Sequence, residues 1–287
     1  MRRTFQFSRF RWLAAAGLWS ALLLSSPNTG NAEPSETLIS GGTGSGLEII
    51  RLLAEAYSQQ VPSEKIKVVP SLGSGGGIKA VLKGKLSFSV SARALKDKEI
   101  AAGAISYEIA KTPMVFLTHA ENPVDAINLE LLTKVYSGQS ATWPDGMPVR
   151  VVMRPLKESD TKFLRGLSAE IDQGIVDMVS QDKAFVATND QQNAEALENV
   201  SGSLGFASYG QVLSEKRNLK HLTFQGRNDV LADLKAGDYP YVKTLRLVLM
   251  GQADPAVTAF CDFVRSAKGA EVLEKNGFLA VLSEANQ

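Results

Sequence analysis

Two glycine–serine runs constrain this chain more than any other feature. Ser40-Gly41-Gly42-Thr43-Gly44-Ser45-Gly46 and Gly73-Ser74-Gly75-Gly76-Gly77 each join a strand-like stretch to one with helical spacing. Glu36–Ser40 precedes the first run, and in Leu47–Gln60 after it Ile49, Ile50, Leu53, Ala54 and Tyr57 recur on one helical face. Lys65–Pro70 precedes the second run, and Ile78–Lys83 follows it. A strand, a tight glycine turn and a helix in succession are the sequence form of a βα unit. Such strands pair in parallel, and their turns gather where ligands bind, at the strands' carboxyl ends.

The alternation continues. Phe88–Ser91, Glu108–Thr118, Arg150–Met153, Leu204–Ala207 and Thr244–Met250 have strand character. Leu129–Tyr136, Phe163–Val179 (one or two helices) and Pro255–Asn276 are helical. The pattern predicts an α/β fold with mainly parallel sheets flanked by helices. The apolar strands ending at Leu117 and starting at Thr244 are spaced to cross between two lobes as a hinge. That would put residues 36–118 plus 240–287 in lobe I and 119–239 in lobe II. A single doubly wound domain is the other arrangement the spacing allows.

Residues 1–32 read as a cleaved signal peptide, with a retained anchor as the alternative. Arg2, Arg3, Arg9 and Arg11 precede an uncharged apolar run, Leu13–Leu24, and Gly30-Asn31-Ala32 offers small residues for cleavage. The run is too short for a hydrocarbon core of roughly 30 Å. Arg2-Arg3-Thr4-Phe5 is similar to the start of a twin-arginine signal but lacks its leading residues, so Sec export fits better than Tat. The expected location is the periplasm. Cys261 is the sole cysteine and cannot form an intramolecular disulfide, which reads as a small buried hydrophobe on a helix.

Charge is balanced in the 287 residues, 31 Lys+Arg against 30 Asp+Glu for a net of +1. A nucleic-acid binder would carry a basic excess. Catalytic signatures are missing as well. His119 and His221 lack metal-ligand spacing, and no H-E-x-x-H, C-x-x-C or G-x-S-x-G occurs. The glycine runs fit neither a dinucleotide fingerprint nor a P-loop. These features point to a protein that is not an enzyme and needs no metal or cofactor.

What remains is anion chemistry. Ser159-Asp160-Thr161, shortly after Arg154, resembles the two glycine runs in setting hydroxyls at a helix start. Helix N-termini carry unpaired N–H groups and partial positive charge, and glycine lets backbone approach an anion closely. Any one of these turns could equally be only a helix cap.

At these residues the chain resembles the periplasmic phosphate-binding proteins of ABC importers, within the type II solute-binding superfamily. Gly73-Ser74-Gly75-Gly76-Gly77-Ile78-Lys79, Glu121-Asn122-Pro123-Val124, Leu131–Gly138 with Trp143, Gly202–Tyr209 and Ala259–Val264 with Gly269 carry the resemblance. It implies a monomeric, two-lobed fold that closes by a hinge on a small oxyanion and docks with an inner-membrane ABC permease. It also implies a binding site of Ser45, Gly46, Ser74, Arg154, Ser159 and Thr161; beside these, Gly75, Ser91 and Arg93 are candidates by position, Arg93 either facing the cleft or standing solvated at a strand end. The alternative is a sensor or interaction protein on the same fold without a transport role.

The chain departs from that family in two places. Ala92 stands where the family has an Asp that accepts the proton of phosphate, with Arg93 beside it. The loop after Arg154 is one residue longer than the family's, and Asp160 replaces a glycine.

Overall fold

The computed structural model describes residues 37–139 and 141–282. The signal-peptide expectation for 1–32 lies outside them. The amino-terminal part runs β1 (Leu38–Gly42), a 3-10 turn (Gly44–Gly46), α1 (Leu47–Ser58), β2 (Ile66–Val68), α2 (Gly73–Leu82), β3 (Phe88–Ser91), α3 (Asp97–Ala101) and the long β4 (Ala104–His119). The middle carries β5 (Ala126–Ile127), α4 (Leu129–Tyr136), β6 (Arg150–Met153), α5 (Ser159–Arg165), α6 (Ala169–Ser180), β7 (Phe185–Val186), α7 (Asp190–Asn199), β8 (Ser203–Ser208), α8 (Tyr209–Ser214), β9 (Leu219–Phe224) and α9 (Val230–Ala236). The chain closes with β10 (Val242–Met250), α10 (Pro255–Val264), α11 (Ala267–Lys275) and β11 (Leu279–Ala280).

The main strand order is β2-β1-β3-β10-β4-β8-β6-β7. β1 pairs in parallel with β2 and β3, β6 with β7 and β8, and β5 with β9. The remaining pairings among the described strands, all made by β4 or β10, are antiparallel. The sheet is therefore mixed rather than mainly parallel. The parallel expectation came from the βα units, whereas the two crossing strands run against their neighbours.

β4 links two separate cores. Ile109 and Ala110 pack with Leu53, Phe88, Leu245, Phe260 and Phe278. Met114 and Phe116 pack with Trp143, Ile175, Phe206 and Leu222. Phe116 pairs in register with both Phe206 and Leu222, so this half of β4 joins β8 and β9. The other half pairs with β10 from Val242 to Met250. The two cores are thus connected by the paired β4 and β10. No helix among the described residues is long and apolar enough to cross a membrane.

The second glycine run is not a turn ahead of a helix. It forms the first turns of α2, although glycine has low intrinsic helix propensity. Packing explains this. A Cβ on Gly77 would lie 2.1 Å from Ser89 Oγ and 2.8 Å from Gly42 Cα, so α2 can rest on β1 and β3 only where the side chain is missing. Cys261 is buried in the first core, and burial pushes its thiol up to about 12, consistent with a structural role. Gly77→Ala is expected to cost about 1–3 kcal/mol through overpacking. Gly75→Ala, with only ordinary contact to Arg93, should be neutral or stabilising by up to about 1 kcal/mol. Urea midpoints of the two variants should move in these different ways, and equal shifts would refute the packing explanation.

Candidate functional site

The three hydroxyl-bearing stretches stand at helix starts that lack side-chain caps. The N-cap positions of α1, α2 and α5 are Gly46, Leu72 and Glu158, and none makes a side-chain capping bond. Asn128, Ser168, Asn189, Ser208, Asp229, Asp254 and Ser266 do cap α4 and α6 to α11. Capping therefore does not account for Ser45, Ser74 or Ser159.

The first and third turns converge. Lys243, on β10, lies 2.6 Å from Asp160 Oδ1 and donates to Ser45 Oγ at 3.4 Å. Ser45 Oγ also lies 3.3 Å from Thr43 Oγ1. Lys243 and Asp160 are nearly sealed from water, with side-chain exposures of 2% and 6%. Ser159 donates to the same Asp160 oxygen at 3.1 Å. The amino end of α7 joins from the middle of the chain. Gln191 donates to Gly44 O at 3.0 Å, and a Cβ on Gly44 would stand 2.6 Å from Asp190 Oδ2.

Arg154 follows β6 and is buried. It donates to Ala187 O at 2.6 Å, and its other terminal nitrogen lies 3.9 Å from carboxylate oxygens of both Asp190 and Glu158. Its guanidinium is thus held loosely by carboxylates at the edge of contact distance, with donors to spare.

Other expected site residues are committed elsewhere. Thr161 donates its hydroxyl to Arg154 O at 2.6 Å, which fixes the loop but leaves no proton for a ligand. The Gly46 amide donates to Thr43 O, and Ser91 donates to Arg93 O at 2.8 Å. Ser74 accepts from the Ala92 amide at 3.0 Å and keeps its own proton. Gly75 is exposed on the first turn of α2, with Arg93 beside it.

Arg93 is not a free cation facing an anion. Its fork closes on Glu99, with Nη1 to Oε2 at 2.8 Å and Nη2 to Oε1 at 2.7 Å. Glu99 also accepts from the Lys96 amide. The Arg93 hydrogen bonds hold the Glu99 carboxyl down at about 2, and the pair adds no net charge to the turn.

Sequence reasoning missed Lys243, Asp190 and Gln191. For Lys243 a signal existed. Over the first six residues of β10, Lys243, Leu245 and Leu247 are buried in alternation with half-buried neighbours, so period-two spacing sets this lysine on an apolar face.

The PBP superfamily domain matches residues 27–268. The chain belongs to the PBP superfamily. It is similar to phosphate-binding protein PstS of Borreliella burgdorferi, 23% identical over 270 residues that cover 88% of this chain and 93% of the relative. A Clostridium perfringens structure, described as a phosphate ABC transporter substrate-binding protein with bound phosphate, superposes with a TM-score of 0.71. That match is 20% identical and covers 86% of this chain and all of the other. The periplasmic molybdate-binding protein of Azotobacter vinelandii superposes with a TM-score of 0.59 at 15% identity, covering 84% and 98% of the two chains. At these identities the solved structures speak to the fold. This superfamily member shares the two-lobed type II α/β architecture.

Glu99 is ionised in the folded chain well below its ordinary value of 4.5, so its pairing with Arg93 stabilises the fold above that pH. The contribution is lost as pH falls from 4.5 towards about 2. Arg93→Ala should lower the urea midpoint at pH 7, and its deficit should shrink across that acid window. A deficit independent of pH would show that the pair does not act this way.

Proposed function

We propose that this chain is an extracytoplasmic solute-binding protein that captures a small oxyanion, phosphate or phosphate-like, for an inner-membrane ABC importer. The observation that carries the proposal is the convergence of buried Lys243 and Arg154 with uncapped, hydroxyl-bearing turns from both lobes. The names of the phosphate-binding relatives support the same ligand class.

Export would place the protein in the periplasm as a monomer. Ser45, Ser74 and Ser159 offer hydroxyls, Lys243 offers a point charge, and Arg154 offers a planar fork that matches two oxygens of a tetrahedral anion. β4 and β10 are the connections about which lobes formed by 36–118 plus 240–287 and by 119–239 would close. The closed form would be presented to the permease. Gly46, Ser91, Arg93 and Thr161 serve the scaffold in this scheme, since their polar groups are already bonded within the protein.

Titration calorimetry against phosphate, sulfate and molybdate should give one-to-one binding of at least one of them. Arg154→Lys keeps the charge but loses the fork, and should weaken that binding by about 1.5–3 kcal/mol, the contribution of a hydrogen bond to a charged group. Unchanged affinity would place the site elsewhere. Silence towards all three anions would favour a sensor or interaction protein on the same fold.

A further inference from the structure

The cations of the proposed site are already matched by carboxylates of the chain itself. Lys243 pairs with Asp160 at 2.6 Å, and Arg154 faces Asp190 and Glu158 at 3.9 Å. Asp160 belongs to the middle part of the chain and Lys243 to the strand that returns to the first core, so their contact ties one lobe to the other. One Asp160 oxygen both meets Lys243 and accepts from Ser159, and Lys243 also reaches Ser45. A carboxylate oxygen held by a lysine and a serine hydroxyl has the surroundings that a bound oxyanion would require.

We propose that Asp160 is an intramolecular occupant of the anion site. It bridges the lobes by pairing with Lys243, and an external oxyanion binds by displacing it. The inference rests on the capture of an oxyanion described above and adds the regulation of that site. With Asp160 in place, an incoming anion meets three carboxylates against two cations. It therefore has to win Lys243 from a tethered competitor whose local concentration is high. Ligand specificity follows, because a highly charged oxyanion that bridges Lys243 and Arg154 can displace one carboxylate whereas a weak monoanion cannot. The bridge also draws the lobes together before any ligand arrives. Closure is then an exchange of one anion for another, not the first meeting of two open lobes.

The test uses the full mature chain with two readouts, phosphate affinity by calorimetry and radius of gyration in phosphate-free buffer by small-angle scattering. Asp160→Asn keeps the shape and removes the charge. Phosphate affinity should rise at least tenfold, and the phosphate-free protein should expand relative to the unmodified chain. Unchanged or weaker phosphate binding in a folded Asp160→Asn protein would overturn the proposal. If Asp160→Asn leaves Lys243 too exposed electrostatically to fold, the double variant Asp160→Asn/Lys243→Met replaces both members of the pair with neutral groups. It should be expanded like an open form and should show no gain in affinity. A double variant as compact as the unmodified chain would equally overturn the bridge. Should no variant bind phosphate, the failure lies with oxyanion capture. The scattering comparison then decides the bridge alone, with expansion supporting it and unchanged dimensions refuting it.

Discussion

A charge removed from water must find an opposite charge or enough hydrogen bonds, because each desolvated ion costs several kcal/mol even after the protein relaxes around it. Lys243 imposes that condition here. Its backbone stands opposite Thr112 where β4 and β10 run together, at the connection between the two cores. Thr112 in turn donates to Gly277 O and accepts the Gly210 amide, so this register position is tied to α8 and to the end of α11. The lysine therefore cannot swing out to solvent without disturbing the paired β4 and β10. The carboxylate has to come to it, and Asp160 does so from the start of α5. One electrostatic requirement thereby couples the position of α5 to the position of β10.

Much of the architecture was legible because it rests on local patterning. Phe88–Ser91, Leu129–Tyr136 and Arg150–Met153 occur where apolar patterning sets them: the two strands are buried at all or nearly all positions, and the helix buries one face through Leu132, Val135 and Tyr136. α7, α8 and α9 were not legible. α7 is polar along most of its length, Asp190 to Asn199, and buries only a narrow stripe around Ala194 and Leu197. The glycine run at α2 misled for the opposite reason. Its residues are poor helix formers, and only the close approach to Ser89 and Gly42, invisible to local patterning, makes them suitable.

At the site, residue type was legible and partnership was not. Arg93 and Arg154 look alike in sequence, each at a strand end near serine. What separates them is the distance to a carboxylate. Glu99, six positions after Arg93, sits close enough to fill both arms of its fork. The carboxylates around Arg154 stop at 3.9 Å, and its main bond is to a carbonyl. A neutralised fork is a structural staple, whereas a loosely held one can change partners. The opposition of Asp160 to Lys243 spans 83 positions of chain, and no spacing rule reaches across that separation.

The uncapped helix starts bear on the same question from the side of stability. A serine, threonine, asparagine or aspartate cap contributes about 1 kcal/mol, and α4 and α6 to α11 take it. α1 and α2 have serines within two residues of their starts and leave the capping contribution untaken. Their hydroxyls instead face Lys243 and Thr43 in one case and the Ala92 amide in the other. Ser45 is sealed from water, and its oxygen receives a proton from Lys243 while its own proton has only the distant Thr43 oxygen to approach. A buried hydroxyl with that weak a commitment is costly as mere scaffolding, since a partner must satisfy it at some stage. An oxyanion between Ser45, Lys243 and Arg154 would satisfy all three groups together. Stability forgone at helix starts and a carboxylate kept in reserve are the two local compromises expected where a fold holds a place for a guest.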